Sequence, residues 1–342
     1  MTELSARELD GVAGLLREAG SEVVGALTAE PVLGGRSNQT FALTDGRSSW
    51  VLRTPPRVGR TPSAHDVGRE FRVTSGLAQA GVPVPPPVLF HEDEGLLGGP
   101  FAIAEFVRGH TIQSRDQLDD LADETVAAVV GELVSTLARL HRVDHVAVGL
   151  ERFGRPDGYA QRQLSRWSGQ WELVGDPALG PLAAEVVAGL TAHLPRQAAT
   201  SVVHGDYRLD NTILDLDGSA PRVAAVVDWE LSTIGDPVAD VALMGAYRAA
   251  PVDLVIGSPT AWSSPRLPDA ATLAAAYEAA GGADLLDWDS HLALARFKIA
   301  VIAAGIAHRH RAGATSGPAF ANAGEAVEPF LELARDSLRA AK

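Results

Sequence analysis

The sequence predicts an α+β chain: a small antiparallel-sheet lobe followed by a larger, mainly helical lobe. Three observations support this. Between residues 31 and 53, short apolar runs alternate with turn residues such as Gly34-Gly35 and Asp45-Gly46, the pattern of consecutive strands. From Leu118 onward, apolar residues recur mostly at helical spacing. The length of 342 residues with 46% apolar content is enough for two lobes and a sizeable core. We place the boundary between 1–107 and 108–342, because Gly109 follows the last strand of the first region.

In chain order, residues 5–19 (SARELDGVAGLLREA) carry apolar residues at helical spacing, with Ser5 as N-cap and Glu8 three residues on. Residues 31–44 read as strand, tight loop, strand, and 50–53 as a third strand. The stretch 55–64 is a Pro-, Gly- and Arg-rich loop, and 66–77 is helical. The prolines of 81–90 exclude a helix and lead into a strand pair turning at 95–99. Residues 125–142 form a long apolar helix, and 157–172 (DGYAQRQLSRWSGQWE) stack Arg162 with Arg166 and Trp167 with Trp171. Asp236-Pro237 starts a helix with Pro at its first position. Residues 251–268 form an irregular surface excursion. His308 and His310 point to different sides of a helix, so they are not a metal pair.

The chemistry concentrates in residues 201–230 (SVVHGDYRLDNTILDLDGSAPRVAAVVDWE). Asp217-Gly218 lies between two apolar runs and signals a hairpin turn, since both residues tolerate positive φ. The hairpin would carry Asp206, Asn211 and Asp228 to one end. Carboxylate and amide oxygens suit Mg²⁺, and an Asp beside the metal can take a proton from an attacking hydroxyl.

Composition excludes several classes. With no cysteine there is no disulfide, thiolate nucleophile or thiolate metal site, which fits a cytoplasmic location. The start, MTELSARELDG, lacks a signal pattern. The apolar stretch 291–307 is too short for a membrane span, so no membrane partner is expected. A net charge of −14 disfavours nucleic acid. The only lysines are Lys298 and Lys342, so a Walker-type phosphate loop, which needs a lysine after its glycines, is excluded. There is no GxSxG elbow for a serine hydrolase.

His204-Gly205-Asp206 with Asn211 resembles the HGDxxxxN catalytic loop of the aminoglycoside phosphotransferase-like kinases, and Asp228-Trp229-Glu230 resembles that family's counterpart of the kinase DFG segment. The 231–243 stretch resembles its GDPxxDxA segment. The resemblance, over about 32–311, implies a protein-kinase-like bilobal fold and an ATP- and Mg²⁺-dependent small-molecule O-phosphotransferase, with GTP an alternative nucleotide. It makes Asp206 the catalytic base and Asn211 and Asp228 the metal ligands, with His204 and Asp240 supporting the loop. For the nucleotide it implies a phosphate loop of Gly34, Gly35, Ser37 and Asn38. Arg53 stands where many relatives have lysine, Glu70 is its partner, and backbone near Glu105 and Val107 contacts the base.

The 157–172 helix then supplies an acceptor wall from Arg162, Arg166, Trp167 and Trp171, opposed by the plainer reading of an amphipathic surface helix. The patterns VLRTPP, REFRVTSGL, RQLSRW and FKIAVIAAGIAHR are most similar to hydroxyacyl-CoA-type kinases linked to acyl-CoA dehydrogenases. The acceptor hydroxyl can thus belong to an aminoglycoside, macrolide, amino alcohol or hydroxyacyl-CoA. The other reading is a catalytically silent nucleotide-binding scaffold or sensor, which the missing strand lysine favours and the intact Asp206, Asn211 and Asp228 oppose.

Overall fold

The computed structural model describes residues 3–32, 38–56, 66–313 and 318–341. It divides into two compact units: Met1–Gly109 with His145–Phe153 and Ala224–Ser232, and His110–Asp144 with Gly154–Val223 and Thr233–Lys342.

The first unit opens with α1 (Ala6–Glu18), which starts on a capping box: Ser5 Oγ accepts from Glu8 N, and the Glu8 carboxylate accepts from Ser5 N at 2.7 Å. Strands β1 (Thr28–Pro31), β2 (Gln39–Thr44) and β3 (Ser49–Thr54) follow, then α2 (Val67–Gln79), β4 (Pro87–His91) and β5 (Phe101–Glu105). The five strands form one antiparallel sheet in the order β1-β2-β3-β5-β4. Side chains alternate across a strand. Trp50 and Leu52 of β3 therefore join Val12, Leu16, Phe41 and Ile103 in the core, while Arg53 points to the other face. On α2, Asp66 caps the N-terminus through Arg69 N, and Glu70 is buried with Val67, Val73 and Leu77.

The second unit contains α3 (Arg115–Asp119), α4 (Asp123–His141), α5 (Tyr159–Val174), α6 (Gly180–Ala192) and the short β6 (Ser201–Val203). The later elements are β7 (Thr212–Asp215), β8 (Arg222–Val226, whose residues from Ala224 on belong to the first unit), β9 (Thr233–Gly235), α7 (Val238–Ala246), α8 (Val252–Ile256), α9 (Ala270–Ala279), α10 (Trp288–Arg311), α11 (Pro318–Ala321) and α12 (Val327–Ala340). Strand β6 pairs with β9, and β7 with β8. Helix α10 is the spine: it packs against α12, α7 and α5 and buries Leu292, Leu294, Phe297, Ile299 and Val301.

Four expectations need correction. Residues 251–268 are not an irregular surface excursion: they hold α8 and bury Val252, Val255, Ala261 and Trp262. The β7–β8 pair forms, but neither Asp217 nor Gly218 has a positive φ; the longer connection lets the chain reverse through ordinary backbone, with Asp217 N donating to Asp215 Oδ1. Helix α7 starts at Val238, so Pro237 stands one residue earlier than expected, as its N-cap, although its backbone (φ −57, ψ −30) is already helical and Asp236 Oδ1 accepts from Val238 N. The apolar stretch 291–307 belongs to a 24-residue helix, long and apolar enough to cross a membrane by length and composition. Tertiary packing gives it another use, since 83% of its most apolar window is buried in the protein.

Candidate active site

The sequence-predicted residues fall into two clusters, one in each unit. In the second unit, β6 leads into His204-Gly205-Asp206, and Asn211 ends a 3₁₀ turn, Leu209–Asn211, that enters β7. Gly205 sits at φ +84, a conformation open to glycine and costly for other residues. The backbone polar groups around Gly205 and Asp206 are held by side chains. The amides of His204 and Gly205 donate to Asp240 Oδ2 and Oδ1 at 2.6 and 2.8 Å. Asp206 N donates to His204 Nδ1 at 3.2 Å, and Asp206 O accepts from Asn211 Nδ2 at 2.8 Å. Gly205 O accepts from Lys298 Nζ at 2.9 Å. Asp240 is fully buried, with His141 Nε2 3.2 Å from its Oδ2. Burial alone would raise its carboxyl, but the hydrogen bond and charge of His141, together with His204, hold it below the usual range.

The Asp206 carboxylate is also fixed. Its Oδ1 accepts the Tyr247 phenol O–H at 2.7 Å and lies 3.3 Å from Arg208 Nε, and its Oδ2 accepts from Asn211 Nδ2 at 3.1 Å. Arg208 also pairs with Asp210 at 2.8 Å, and its guanidinium lies 5.2 Å from the Tyr247 ring centroid. Burial opposes the Arg208 charge, yet Asp206 and Asp210 outweigh it and raise its pKa. Asn211 turns its Nδ2 toward Asp206, which leaves Oδ1 as the oxygen it can offer a cation.

In the first unit, Arg53 Nη1 lies 3.1 Å from Glu70 Oε2, and Arg53 Nη2 lies 3.9 Å from Asp228 Oδ1. Asn38 Nδ2 donates to Glu70 Oε1 at 2.8 Å, so Asn38 is bound to the acid of α2. Burial pushes the Glu70 carboxyl up to about 7; Arg53 opposes this, while Asp228 and Glu230 reinforce it. Asp228 follows β8 at φ +66, a left-handed conformation that Asp tolerates better than most residues with a side chain, and that side chain is 40% exposed. Of the base-contacting expectations, Glu105 N donates to Pro86 O at the end of β5, and Val107 is half-buried beyond it. Gly34, Gly35 and Ser37 lie outside the described residues.

The four residues expected on the acceptor wall separate along α5. Arg162 is committed to the backbone, donating to the Asp157 and Arg155 carbonyls. Arg166 is exposed, 5.2 Å from the Trp167 ring centroid. Trp171 packs against Gly175 at the end of the helix. Trp167 lines a pocket with Tyr159, Gln163, Gly205, Leu294 and Lys298.

Sequence reasoning missed three members of the loop cluster: Lys298, Arg208 and Tyr247. A signal for Lys298 existed, a lone lysine in the most apolar stretch of a lysine-poor chain. Arg208, between two acids, gave a weaker one. Tyr247 gave none, because only the packing of α7 brings it to Asp206. Among the described residues there is no cluster of three or more His, Cys, Asp or Glu side chains that would hold a metal on its own.

A family model for the phosphotransferase enzyme family, APH, matches residues 28–294. Acyl-CoA dehydrogenase family member 10 of Mus musculus is 34% identical over 316 residues, covering 88% of this chain and 28% of that protein. Family member 11 of Rattus norvegicus is 32% identical over 318 residues, covering 92% and 40%. This chain thus spans well under half the length of these curated relatives. Among solved structures, a candidate aminoglycoside phosphotransferase of Ralstonia eutropha superposes with a TM-score of 0.84 at 32% identity, covering 97% of this chain and 98% of that one. Aminoglycoside phosphotransferase APH(4)-Ia, in complex with AMP-PNP and hygromycin B, shares the fold with a TM-score of 0.59 at 16% identity, covering 95% and 96%. The small antiparallel sheet, the helical remainder and the HGDxxxxN loop agree with these matches: the chain has a protein-kinase-like fold and belongs to the APH phosphotransferase enzyme family.

Proposed function

We propose that this chain transfers the γ-phosphoryl group of ATP to a hydroxyl of a small molecule, with Mg²⁺ as the metal. The observation that carries this reading is the Asp206 carboxylate, held by Tyr247, Arg208 and Asn211 on a turn whose backbone is itself held. A carboxylate so fixed accepts the acceptor's hydroxyl proton as the oxygen attacks the γ-phosphorus. The bond to the β-phosphate oxygen then breaks and ADP leaves. Catalysis of this kind is mainly positioning and electrostatics.

The residues suit the metal. Mg²⁺ is commonly held by one or two protein oxygens together with substrate phosphates, not by a full protein cage. Asn211 has Oδ1 to offer, and Asp228 presents a part-exposed carboxylate beside Arg53. When bound, the ion neutralises phosphate charge. Arg53, held by Glu70, makes a charge-assisted fork to phosphate oxygens where relatives use lysine. Residues 1–107 then act as the nucleotide-clamping lobe, with Glu105 and Val107 meeting the base through backbone groups, and 108–342 as the catalytic and acceptor lobe. GTP in place of ATP is compatible with backbone reading. A cytoplasmic setting without nucleic acid or membrane partners fits the acidic, cysteine-free chain.

For the acceptor, the acyl-CoA dehydrogenase relatives support a hydroxyacyl-CoA-type molecule. The viomycin phosphotransferase of Streptomyces vinaceus, 26% identical over 199 residues, and the hygromycin B complex support an antibiotic. Trp167, in the pocket beside Gly205, is the best-supported member of the acceptor wall. The test is Mg-dependent ATP consumption across aminoglycosides, macrolides, amino alcohols and hydroxyacyl-CoAs. Asp206→Ala and Asp228→Ala should each lower transfer by about 10³-fold or more. Nucleotide binding without turnover in the native chain would favour the silent scaffold, and full activity in either variant would remove that residue from the mechanism.

A further inference from the structure

Lys298 is a half-buried lysine on α10, in a row of buried apolar neighbours that includes Phe297, Ile299 and Val301. Burial lowers its pKa, with Asp206 and Asp240 pulling the other way. Among the described residues, its hydrogen-bond partner is a neutral carbonyl, Gly205 O, and not a carboxylate. Its ammonium lies 5.8 Å from the Trp167 ring centroid, within reach of a cation–π attraction. Half-burying a charge among apolar side chains costs stability, and its hydrogen bond here goes to a neutral group. An apolar side chain of similar length would pack there more cheaply. A residue that breaks the pattern of its own helix at a cost to folding points to a functional demand.

The demand is visible in the geometry. The Gly205–Asp206 peptide is gripped on both sides: its oxygen by Lys298 Nζ at 2.9 Å and its N–H by His204 Nδ1 at 3.2 Å. Gly205, at φ +84 and without a side chain, would otherwise let this peptide rotate. We propose that Lys298 is a positioning residue for the general base: by holding Gly205 O it sets the plane of the peptide that carries Asp206. The proposal rests on the phosphotransfer reading above; Lys298 lies outside the HGDxxxxN motif, within the FKIAVIAAGIAHR stretch, whose likeness to relatives gives it no role.

The experiment measures Mg-ATP turnover, with water as acceptor where no other is supplied, alongside thermal unfolding. It compares the native chain with Lys298→Met and Lys298→Cys. The native chain has no cysteine, so in Lys298→Cys bromoethylamine can alkylate the single introduced thiol and restore an ammonium on an aminoethyl side chain. The expected result is kcat lower by about 10- to 100-fold in Lys298→Met, the scale of a lost charge-assisted hydrogen bond. The nucleotide KM should stay within about 3-fold, the Tm should not fall, and aminoethylation of Lys298→Cys should recover turnover. Native-like kcat in Lys298→Met overturns the proposal. So does a fall in Tm that accompanies the loss of turnover, which marks a structural lysine, or a failure of aminoethylation to recover it. A native chain that binds nucleotide and turns over none overturns the phosphotransfer reading itself, and this assignment with it, before any variant is compared.

Discussion

The two acidic clusters are built on opposite terms. Around Asp206, the holds are buried or half-buried side chains committed to the turn: Asp240 takes two amides, Lys298 a carbonyl, and Tyr247, Arg208 and Asn211 take the carboxylate. Around Asp228, the ion pair among the described residues is long. Arg53 reaches it at 3.9 Å, the backbone is held at a positive φ, and the carboxylate is part-exposed. The stable ion pair of that unit, Arg53–Glu70, lies one step away, on β3 and α2. On the proposed reaction, with Asp206 as base and Asp228 as metal ligand, the contrast separates two demands. A general base works only if its carboxylate is already in place. A metal ligand gains order from its cation, and so tolerates a looser setting.

Removing the keystone of the tight cluster should have the largest effect. Asp240→Ala strips the acceptor from two buried amides and leaves His141 without its carboxylate, a loss of about 3–5 kcal/mol. Chemical denaturation should show it as a lower midpoint at unchanged slope. A loss below about 1 kcal/mol would mean that the turn holds without Asp240.

The looser cluster should declare itself in pH dependence. Glu70 binds its proton up to about pH 7 in the fold but only to about 4.5 unfolded. The folded state therefore holds the extra proton in that window, and this stabilisation, present at low pH, is lost as pH rises through 7. In the other unit, burial lowers the His291 pKa to about 4, so its neutral form loses stability as pH falls from 6.5 to 4. Asp236, 3.5 Å away and raised by burial to about 6, changes stability in the opposite direction over nearly the same window. The pair nearly cancels, so Glu70 should dominate between pH 5 and 7, on the order of 2 kcal/mol. Glu70→Gln should flatten that slope in thermal melts; a slope that survives would place the titrating group elsewhere.

The smallest effect tests how redundant the tight cluster is. Tyr247→Phe removes one of the donors to Asp206, and kcat should fall by about 10-fold at unchanged nucleotide KM. No change in kcat would show that Arg208 and Asn211 suffice.

Much of this was legible in the chain. The capping box at Ser5 and Glu8, the meander of strands and the apolar α4 are local patterns, and local patterns survive into structure because they depend on near neighbours. Asp206, Asn211 and Asp228 stood out by residue type around the predicted hairpin, and Arg53 and Glu70 by resemblance to the family; the structure pairs Arg53 with Glu70. Spacing failed where geometry was not local. The Asp217-Gly218 turn took ordinary φ values, while positive φ appeared at Asp228, where no turn pattern marked it. Arg162 and Arg166 share a helix face by spacing, yet Arg162 is spent on the carbonyls before its own helix.

By itself, the sequence determined the order of elements, the absence of thiol chemistry and of a phosphate-loop lysine, and the identity of the acids and amide on which a phosphotransferase reading depends. Only the tertiary structure decided which distant residues serve the Asp206 turn: Lys298 from α10, Tyr247 after α7 and Asp240 within it. The reason is range. Helix and strand preferences are set within a few residues of chain, whereas the backbone groups of a tight turn are satisfied by whatever packing brings into contact, here a lysine 93 positions away.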